Sequence, residues 1–132
     1  SMARHVVAIE IIIQKTAADC GVAALAMLTG HTYVGVAACV PQLNATLANG
    51  MSIGQLQKLA RTLGWPLKKT LFADDGEAVG LVSLSRGKKE AGHVVVYAEG
   101  LVIDPANGVL WLDVAAYLNQ GGWHVDCMLI PK

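Results

Sequence analysis

The chain lacks a predominant charge, because ten Lys and Arg balance ten Asp and Glu over 132 residues. Without a basic stripe or an acidic tail, nucleic acid and anionic membrane surfaces are poor candidates for partners. Charged residues (15%) and aromatic residues (5%) are both few, while 54% of the residues are hydrophobic. This composition excludes a disordered chain and predicts one domain over residues 3–132, with Ser1 and Met2 set aside as a cloning remnant.

Long hydrophobic runs are also missing. The most apolar stretch, Cys20 to Leu28, is far shorter than the roughly 20 residues that cross a bilayer. The N-terminal run from Val6 to Ile13 contains Glu10, which does not fit the apolar core of a signal peptide. We therefore expect a soluble, cytoplasmic protein.

Cysteine is scarce, with only Cys20, Cys39 and Cys127 in the chain. Three cysteines cannot all pair, and their spacing matches no metal-ligand pattern, so neither a disulfide framework nor a metal or other cofactor is predicted. A reduced intracellular protein is the natural interpretation. Cys39 and Cys127 are expected to fill the core, whereas the surroundings of Cys20 point to chemistry.

The first half of the chain carries helical patterns. An Ala-rich segment that begins at Cys20 predicts a buried helix that ends at a glycine, and a later S-x-x-Q capping box predicts a second clear helix. The predicted elements are a short strand or extended segment at 4–13, helices at Cys20 to about Thr29, Tyr33 to Cys39 and Ser52 to Gly64, and a loop from Gln42 to Gly50.

The second half reads as short strands with one helix between them. The predicted strands are Leu67 to Phe72, Leu81 to Ser85, His93 to Tyr97, Leu101 to Asp104 and Val125 to Ile130, and the helix is near Asp113 to Asn119, capped by Asp113. Helices followed by strands predict an α+β fold, in which N-terminal helices pack against a C-terminal antiparallel sheet.

Cys20 is placed at the first turn of the buried helix. There the helix dipole and the unpaired backbone amides stabilise a thiolate, which is the nucleophilic form of cysteine. Gln14 lies six residues upstream. Its side-chain amide and the Cys20 backbone amide form a pair of donors suited to the oxyanion that arises when a thiolate attacks a carbonyl.

His93 and Asp104 supply the missing base through the geometry of a hairpin. If the turn is the two residues at 99–100, strand pairing places Val95 opposite Asp104. His93 and Asp104 are then diagonal neighbours on one face of the sheet, about 7 to 8 Å apart at the backbone. In such a pair the carboxylate orients the imidazole and stabilises its protonated form, while the other ring nitrogen faces the thiol.

Most of the chain resembles one known family. The resemblance rests on the motif Q-x-x-x-x-D-C-G and on the segments Gln14 to Leu28, Gly50 to Trp65, Gly92 to Gly108 and a final short helix followed by a strand. These segments resemble the papain-like cysteine peptidase domain of bacteriocin-exporting ABC transporters, which cleaves leader peptides after a double glycine.

The resemblance implies a papain-like fold and a role for each matching residue. Cys20 is then the nucleophile, and Gln14 lines the oxyanion hole. His93 and Asp104 complete the catalytic triad. The resemblance also implies a peptide or protein substrate with small residues at the scissile bond. It further implies association with a transporter.

The sequence also departs from this pattern. It contains no transmembrane region or ATPase, Val94 stands where an aromatic residue is common, and the segment from Ser85 to Gly92 is basic and contains glycine. Three alternatives stay open on the same residues. The triad also suits deamidation or acyl transfer, a non-cleaving module would bind a peptide without cutting it, and a host-directed effector or phage protein would have its own substrate.

Other polar residues receive structural interpretations. Asp19 is expected to favour the helix start through its charge rather than to assist in the site, and Asn107 is a reserve residue for orienting the imidazole. The clusters Lys68-Lys69 and Arg86-Lys88-Lys89 are interpreted as solvated. The second cluster is close enough in sequence to His93 to contact a substrate. Without the cysteine motif, His93 would rank no higher than the remaining histidines, which are His5, His31 and His124.

Overall fold

The computed structural model describes residues 9–87 and 92–132. Five helices and six strands lie in these ranges: α1 (Cys20–Thr29), α2 (Tyr33–Ala37), α3 (Leu43–Asn49), α4 (Ile53–Thr62), β1 (Leu67–Thr70), β2 (Val79–Ser85), β3 (His93–Ala98), β4 (Leu101–Asp104), β5 (Val109–Trp111), α5 (Val114–Gly121) and β6 (His124–Pro131). The strands form one sheet in the order β1-β6-β2-β3-β4-β5, and each neighbouring pair is antiparallel. The predicted α+β architecture is confirmed.

Helix α1 is the centre of the main core. Its residues from Cys20 to Leu28 are all buried, and Gly30 ends it in the left-handed conformation, as predicted. Gly21 lets α1 approach α4 closely, because a Cβ at this position would lie 2.9 Å from the Leu56 side chain. The glycine after Cys20 therefore fixes how the helix start packs.

Helix α3 corrects the sequence analysis, which predicted a loop from Gln42 to Gly50. Gln42 begins the helix in a left-handed conformation (φ 53°), and Gly50 ends it with a hydrogen bond from its N–H to the Thr46 carbonyl. Asn and Gly suggested turns, but they occupy positions that a short helix tolerates, and burial of Thr46 anchors the segment. Helix α4 has the predicted capping box of Ser52 and Gln55.

The β3–β4 hairpin has the predicted two-residue turn. Glu99 and Gly100 both have positive φ, at 52° and 90°, which is the pattern of a type I′ turn. The strands pair Ala98 with Leu101 and Val96 with Ile103, so the predicted register is confirmed. This register brings His93 and Asp104 to one face of the sheet.

Smaller differences between prediction and structure concern a short edge strand and the N-terminal segment. Strand β5 was not predicted, because three residues after a turn give too short an alternation to recognise. Residues 9–14 form no strand; instead Gln14 donates its backbone N–H to the Pro105 carbonyl at 2.8 Å. Residues 4–8, including His5, lie outside the described residues. Asp113 caps α5, as predicted, by accepting a hydrogen bond from the Ala116 N–H.

The two faces of the sheet carry separate clusters. One cluster contains α1 and its neighbours, and the other contains Tyr97 together with Val114 and Tyr117 from α5. Cys127 is buried as expected, whereas Cys39 is exposed, which contradicts its predicted core role. Cys39 follows the last turn of α2 on its exposed side, between the buried residues Ala37 and Val40. In the described part of the chain, every helix is too short or too polar to cross a membrane.

Candidate active site

A cleft of about 140 Å³ opens where the start of α1 meets the start of β3. Cys20 and His93 both line it, and Gly50 and Gly92 form part of its wall. Cys20 is largely buried, with 8% of its surface exposed, and this cleft is an opening that it lines. The two residues that the sequence separates by 73 positions therefore share one small opening.

His93 is held by Asp104. The imidazole Nε2 lies 2.7 Å from Asp104 Oδ1, and because the carboxylate can only accept, Nε2 carries the donated proton. This tautomer leaves Nδ1 for the thiol. Burial alone would lower the pKa of His93, but the hydrogen bond to Asp104 and the interaction with Cys20 outweigh it and raise the pKa to about 9. The imidazole is therefore protonated at neutral pH.

Asp104 is buried, with 8% of its surface exposed, and its oxygens are well satisfied. Besides His93, it accepts hydrogen bonds from the Ala106 N–H at 2.9 Å and from the Tyr117 hydroxyl at 2.8 Å. Burial raises the pKa of the carboxyl, but these bonds outweigh it, and the pKa is held below its usual value. The charge that orients His93 is stable at neutral pH.

Two residues around this pair, Tyr117 and Trp123, were missed by the sequence analysis, and a third, Arg86, was interpreted there as solvated. Tyr117 reaches Asp104 from α5, and the Trp123 ring stacks on His93, with ring centroids 5.3 Å apart and planes 20° from parallel. The Arg86 guanidinium lies 4.1 Å from the centre of the same indole. Arg86 is exposed but is not simply solvated, since it also donates to the Gly121 carbonyl at 2.8 Å. Lys88 and Lys89 lie outside the described residues.

Gln14 connects the two halves of the site. Its backbone is tied to Pro105, next to Asp104, and its side-chain Nε2 donates to the Thr16 carbonyl at 2.8 Å. The side-chain Oε1 is buried and has no hydrogen-bond partner among the described residues. Gln14 is not among the residues that line the 140 Å³ cleft, so the structure brings Cys20 and His93 together there but not the predicted oxyanion donor.

Asp19 occupies the N-cap position of α1, but its side chain caps no helix amide. It accepts hydrogen bonds from the backbone N–H groups of Lys15 and Thr16, each at 2.9 Å, and from the Tyr33 hydroxyl. Asp19 was expected to favour the start of the helix through its charge. The structure shows a second role, because the carboxylate holds the loop at 15–18 through hydrogen bonds.

The remaining candidates lie in other contacts. Asn107 accepts a hydrogen bond from the Val109 N–H in its own turn, so Asp104 and not Asn107 orients the imidazole. His31 lies 3.0 Å from the Thr29 hydroxyl on the surface, and His124 is exposed on β6. Among the described residues, no cluster of His, Cys, Asp and Glu is arranged to hold a metal ion.

The arrangement suits nucleophilic attack on an amide. A thiol at a helix start faces a protonated imidazole, which in turn is held by a buried carboxylate. Such a set forms a thioester intermediate and supplies the proton that a leaving amine needs. The same chemistry serves hydrolysis, deamidation and acyl transfer, which differ in the leaving group and the acceptor.

Comparison with known proteins favours one of these three reaction types. Residues 8–119 match the sequence profile of the Peptidase C39 family. A solved structure described as a double glycine motif protease from an AMS/PCAT transporter, in complex with the leader peptide, is similar in fold. The TM-score is 0.61 at 20% identity, over 98% of this chain and 96% of that chain. No curated protein matches the chain significantly.

Proposed function

The chain belongs to the Peptidase C39 family, since the match spans residues 8–119; it is therefore a cysteine peptidase, and we propose that Cys20, His93 and Asp104 form its catalytic triad. The observation that carries the proposal is the 2.7 Å bond between His93 Nε2 and Asp104 Oδ1, in a cleft shared with Cys20. Gln14 completes the site as an oxyanion donor.

The proposed reaction has two halves. The Cys20 thiolate attacks the scissile carbonyl, and the oxyanion accepts hydrogen bonds from the Cys20 backbone N–H and Gln14 Nε2. The C–N bond then breaks, His93 gives its Nδ1 proton to the leaving amine, and a thioester remains. Water attacks the thioester while His93 takes the proton, and cleavage of the C–S bond restores the thiolate.

A leader peptide that ends in Gly-Gly is the proposed substrate. The similar structure is described as a double glycine motif protease bound to a leader peptide, and the geometry of this cleft supports the same preference. At about 140 Å³ the cleft is small. Gly50, which lines the cleft, itself has little space for a side chain, because a Cβ there would lie 3.3 Å from the Ala18 carbonyl. A side chain at the scissile residues has little room there.

A larger cavity of about 290 Å³ adjoins the cleft, with Met51 common to both. It is lined by residues from α3, α4 and the turn before α3, among them Val40 and Leu59. We expect the part of the peptide before the two glycines to contact this cavity. A peptide that contains only the scissile residues should therefore be a poor substrate.

The setting of the enzyme is also part of the proposal. We propose that residues 3–132 act as one peptidase domain in the cytoplasm, on a peptide that a transporter then exports. The three cysteines are free, as is usual in a reducing compartment. The fold similarity extends to a protease from a transporter, which supports the association.

Cleavage in heavy-oxygen water tests the proposal. A peptide with a Gly-Gly site should give a product whose new terminal carboxylate carries one heavy oxygen atom, and Cys20→Ala should give none. Replacing either Gly by Leu should stop cleavage, whereas the same Leu placed well after the site serves as the matched control and should not.

Other products would contradict the proposal in distinct ways. An intact chain that loses ammonia indicates a deamidase, and transfer to an added amine without heavy oxygen indicates an acyl transferase. Binding of the peptide with no change in mass indicates a non-cleaving module. Equal cleavage of the Leu and Gly peptides removes the double-glycine preference but leaves the peptidase.

A further inference from the structure

Asp19 is a completely buried carboxylate, with 0% of its surface exposed. Burying a charge is costly unless hydrogen bonds replace the lost water. Here the replacements come from the N–H groups of Lys15 and Thr16 and from the hydroxyls of Thr16 and Tyr33. Burial raises the pKa of Asp19, but these bonds outweigh it and hold the pKa below its usual value. A stable negative charge therefore sits one residue before Cys20, turned toward the preceding loop.

The loop that Asp19 holds is the one that aims Gln14. Thr16 donates its backbone N–H to Asp19 at 2.9 Å and accepts Gln14 Nε2 on its carbonyl at 2.8 Å. The Thr16 hydroxyl is also fixed, because it donates to the Leu47 carbonyl on α3 at 2.7 Å. Thr16 thus lies between the buried charge and the proposed oxyanion donor, and both of its backbone polar groups are occupied.

This chain of contacts determines which way the Gln14 amide faces. With Nε2 on the Thr16 carbonyl, the buried Oε1 meets no hydrogen-bond donor within residues 9–87 and 92–132. The reversed amide would set two carbonyl oxygens against each other, so Thr16 selects the observed orientation. Nε2 keeps a second N–H, which is the one available to an oxyanion.

We propose that Asp19 and Tyr33 are positioning residues for the oxyanion hole, acting through Thr16 on Gln14. The proposal rests on the role of Gln14 in the proposed function. Asp19 touches neither the substrate nor the reacting atoms in this scheme. Its part is to hold the loop at 15–18 so that the free Nε2 proton faces the transition state.

Tyr33→Phe is the most discriminating variant. It removes only the hydroxyl donor to Asp19 and keeps the aromatic ring that lies under the Lys15 ammonium at 4.9 Å. Because one of four donors to the charge is lost, we expect kcat for peptide cleavage to fall about tenfold with little change in KM. Asp19→Asn should reduce kcat further, but this variant also risks misfolding.

A double-mutant cycle with Gln14→Ala separates positioning from general damage. If Tyr33 acts through Gln14, Tyr33→Phe should cause no further loss of kcat once Gln14 is Ala. Tyr117→Phe is the matched control, since it removes the corresponding hydroxyl from Asp104 and should keep its full effect in the Gln14→Ala background. The rate of Cys20 alkylation should be unchanged by Tyr33→Phe.

Each other result has a defined meaning. A wild-type kcat for Tyr33→Phe, or additive losses of Tyr33→Phe and Gln14→Ala, would overturn the positioning role while the peptidase stands. Slower alkylation of Cys20 in Tyr33→Phe would show that the nucleophile, not the oxyanion donor, is disturbed. If Gln14→Ala itself cleaves at the wild-type rate, the oxyanion assignment in the proposed function fails first, and the positioning role falls with it.

Discussion

Two buried aspartates, one on each side of the cleft, are held in similar ways and face different partners. Asp19 precedes the helix that carries Cys20, and Asp104 ends a strand of the hairpin that carries His93. Each accepts one tyrosine hydroxyl and at least one backbone N–H, and each has a pKa held below its usual value. Asp104 alone also binds an imidazole, and it helps to raise the pKa of that imidazole to about 9.

This difference gives the two aspartates different roles in the site. On the sheet side the carboxylate stabilises a protonated imidazole, so that side is suited to moving protons. On the helix side the carboxylate is surrounded by backbone amides and a phenol, so it is suited to fixing a loop. Changes on the sheet side should therefore alter pH dependence, whereas changes on the helix side should alter rate at every pH.

The largest expected effect is the loss of the reacting groups themselves. Cys20→Ala and His93→Ala should each reduce kcat to background, a fall of roughly 10⁴-fold or more, because nucleophile and base act as a unit. Circular dichroism should show an unchanged fold. Cys127→Ala, which removes a buried thiol away from the cleft, is the matched control and should keep activity; measurable turnover in Cys20→Ala would contradict the nucleophile assignment.

Removing the oxyanion donor should have the next largest effect. Gln14→Ala should lower kcat roughly 100- to 1000-fold, since one of two donors to the developing charge is lost. The loss should be the same across the pH range of activity, as the comparison of the two sides requires. Gln120→Ala, on exposed α5 surface, is the control. An unchanged rate for Gln14→Ala would show that the amide serves only the loop.

Asp104→Asn should reduce kcat less than the loss of the reacting groups or of Gln14. The amide oxygen of the substituted side chain can still accept from His93 Nε2, so the ring stays oriented while the charge that favours the imidazolium is lost. We expect a loss of less than roughly 100-fold and a shift of the alkaline limb of the kcat/KM profile to lower pH. A profile with the wild-type pH limits would contradict the assignment of proton chemistry to the sheet side.

The smallest expected effect concerns the pH dependence of stability, and its measurement needs no substrate. The pKa of His93 is raised from 6.5 to about 9, so its contribution to folding is complete below the lower value and is lost as pH rises toward the upper one. The lowered pKa of Asp19 gives a contribution that is lost only in acid. The denaturant concentration at the unfolding midpoint of the wild type should decrease as the pH rises from 6.5 to about 9. The His93→Gln variant should not show this decrease. An identical decrease in the variant would contradict the contribution of His93 to stability.

Much of the site could be predicted because its signals are local. Cys20, its helix and the two-residue turn at 99–100 lie within short motifs, and a fixed hairpin register then determines that His93 meets Asp104. Tyr117 and Trp123 carry no such signal, since they reach the site only through the packing of α5 and the start of β6. The same limit applies to Asp19, whose buried partners become visible only when the loop at 15–18 is folded back.

Two errors have related causes. The α3 segment contains Asn and Gly, which favour turns, and the burial that stabilises it as a helix depends on contacts with distant residues. Cys39 was assigned to the core from its residue type alone, but the end of α2 turns it outward. In both cases tertiary contacts determined the structure, and the composition of the segment does not reveal such contacts.

The most direct test of the account compares the alkylation of Cys20 and Cys39 by iodoacetamide as a function of pH. Cys39 is exposed and Cys20 is 8% exposed, so access alone predicts that Cys39 reacts faster at every pH. If His93 holds Cys20 as a thiolate, Cys20 should stay reactive at pH values well below about 8.5, where an ordinary thiol becomes slow. His93→Ala should abolish that reactivity, and His31→Ala should not. A Cys20 profile that follows Cys39, or one indifferent to His93, would contradict the ion pair at the centre of the proposed site.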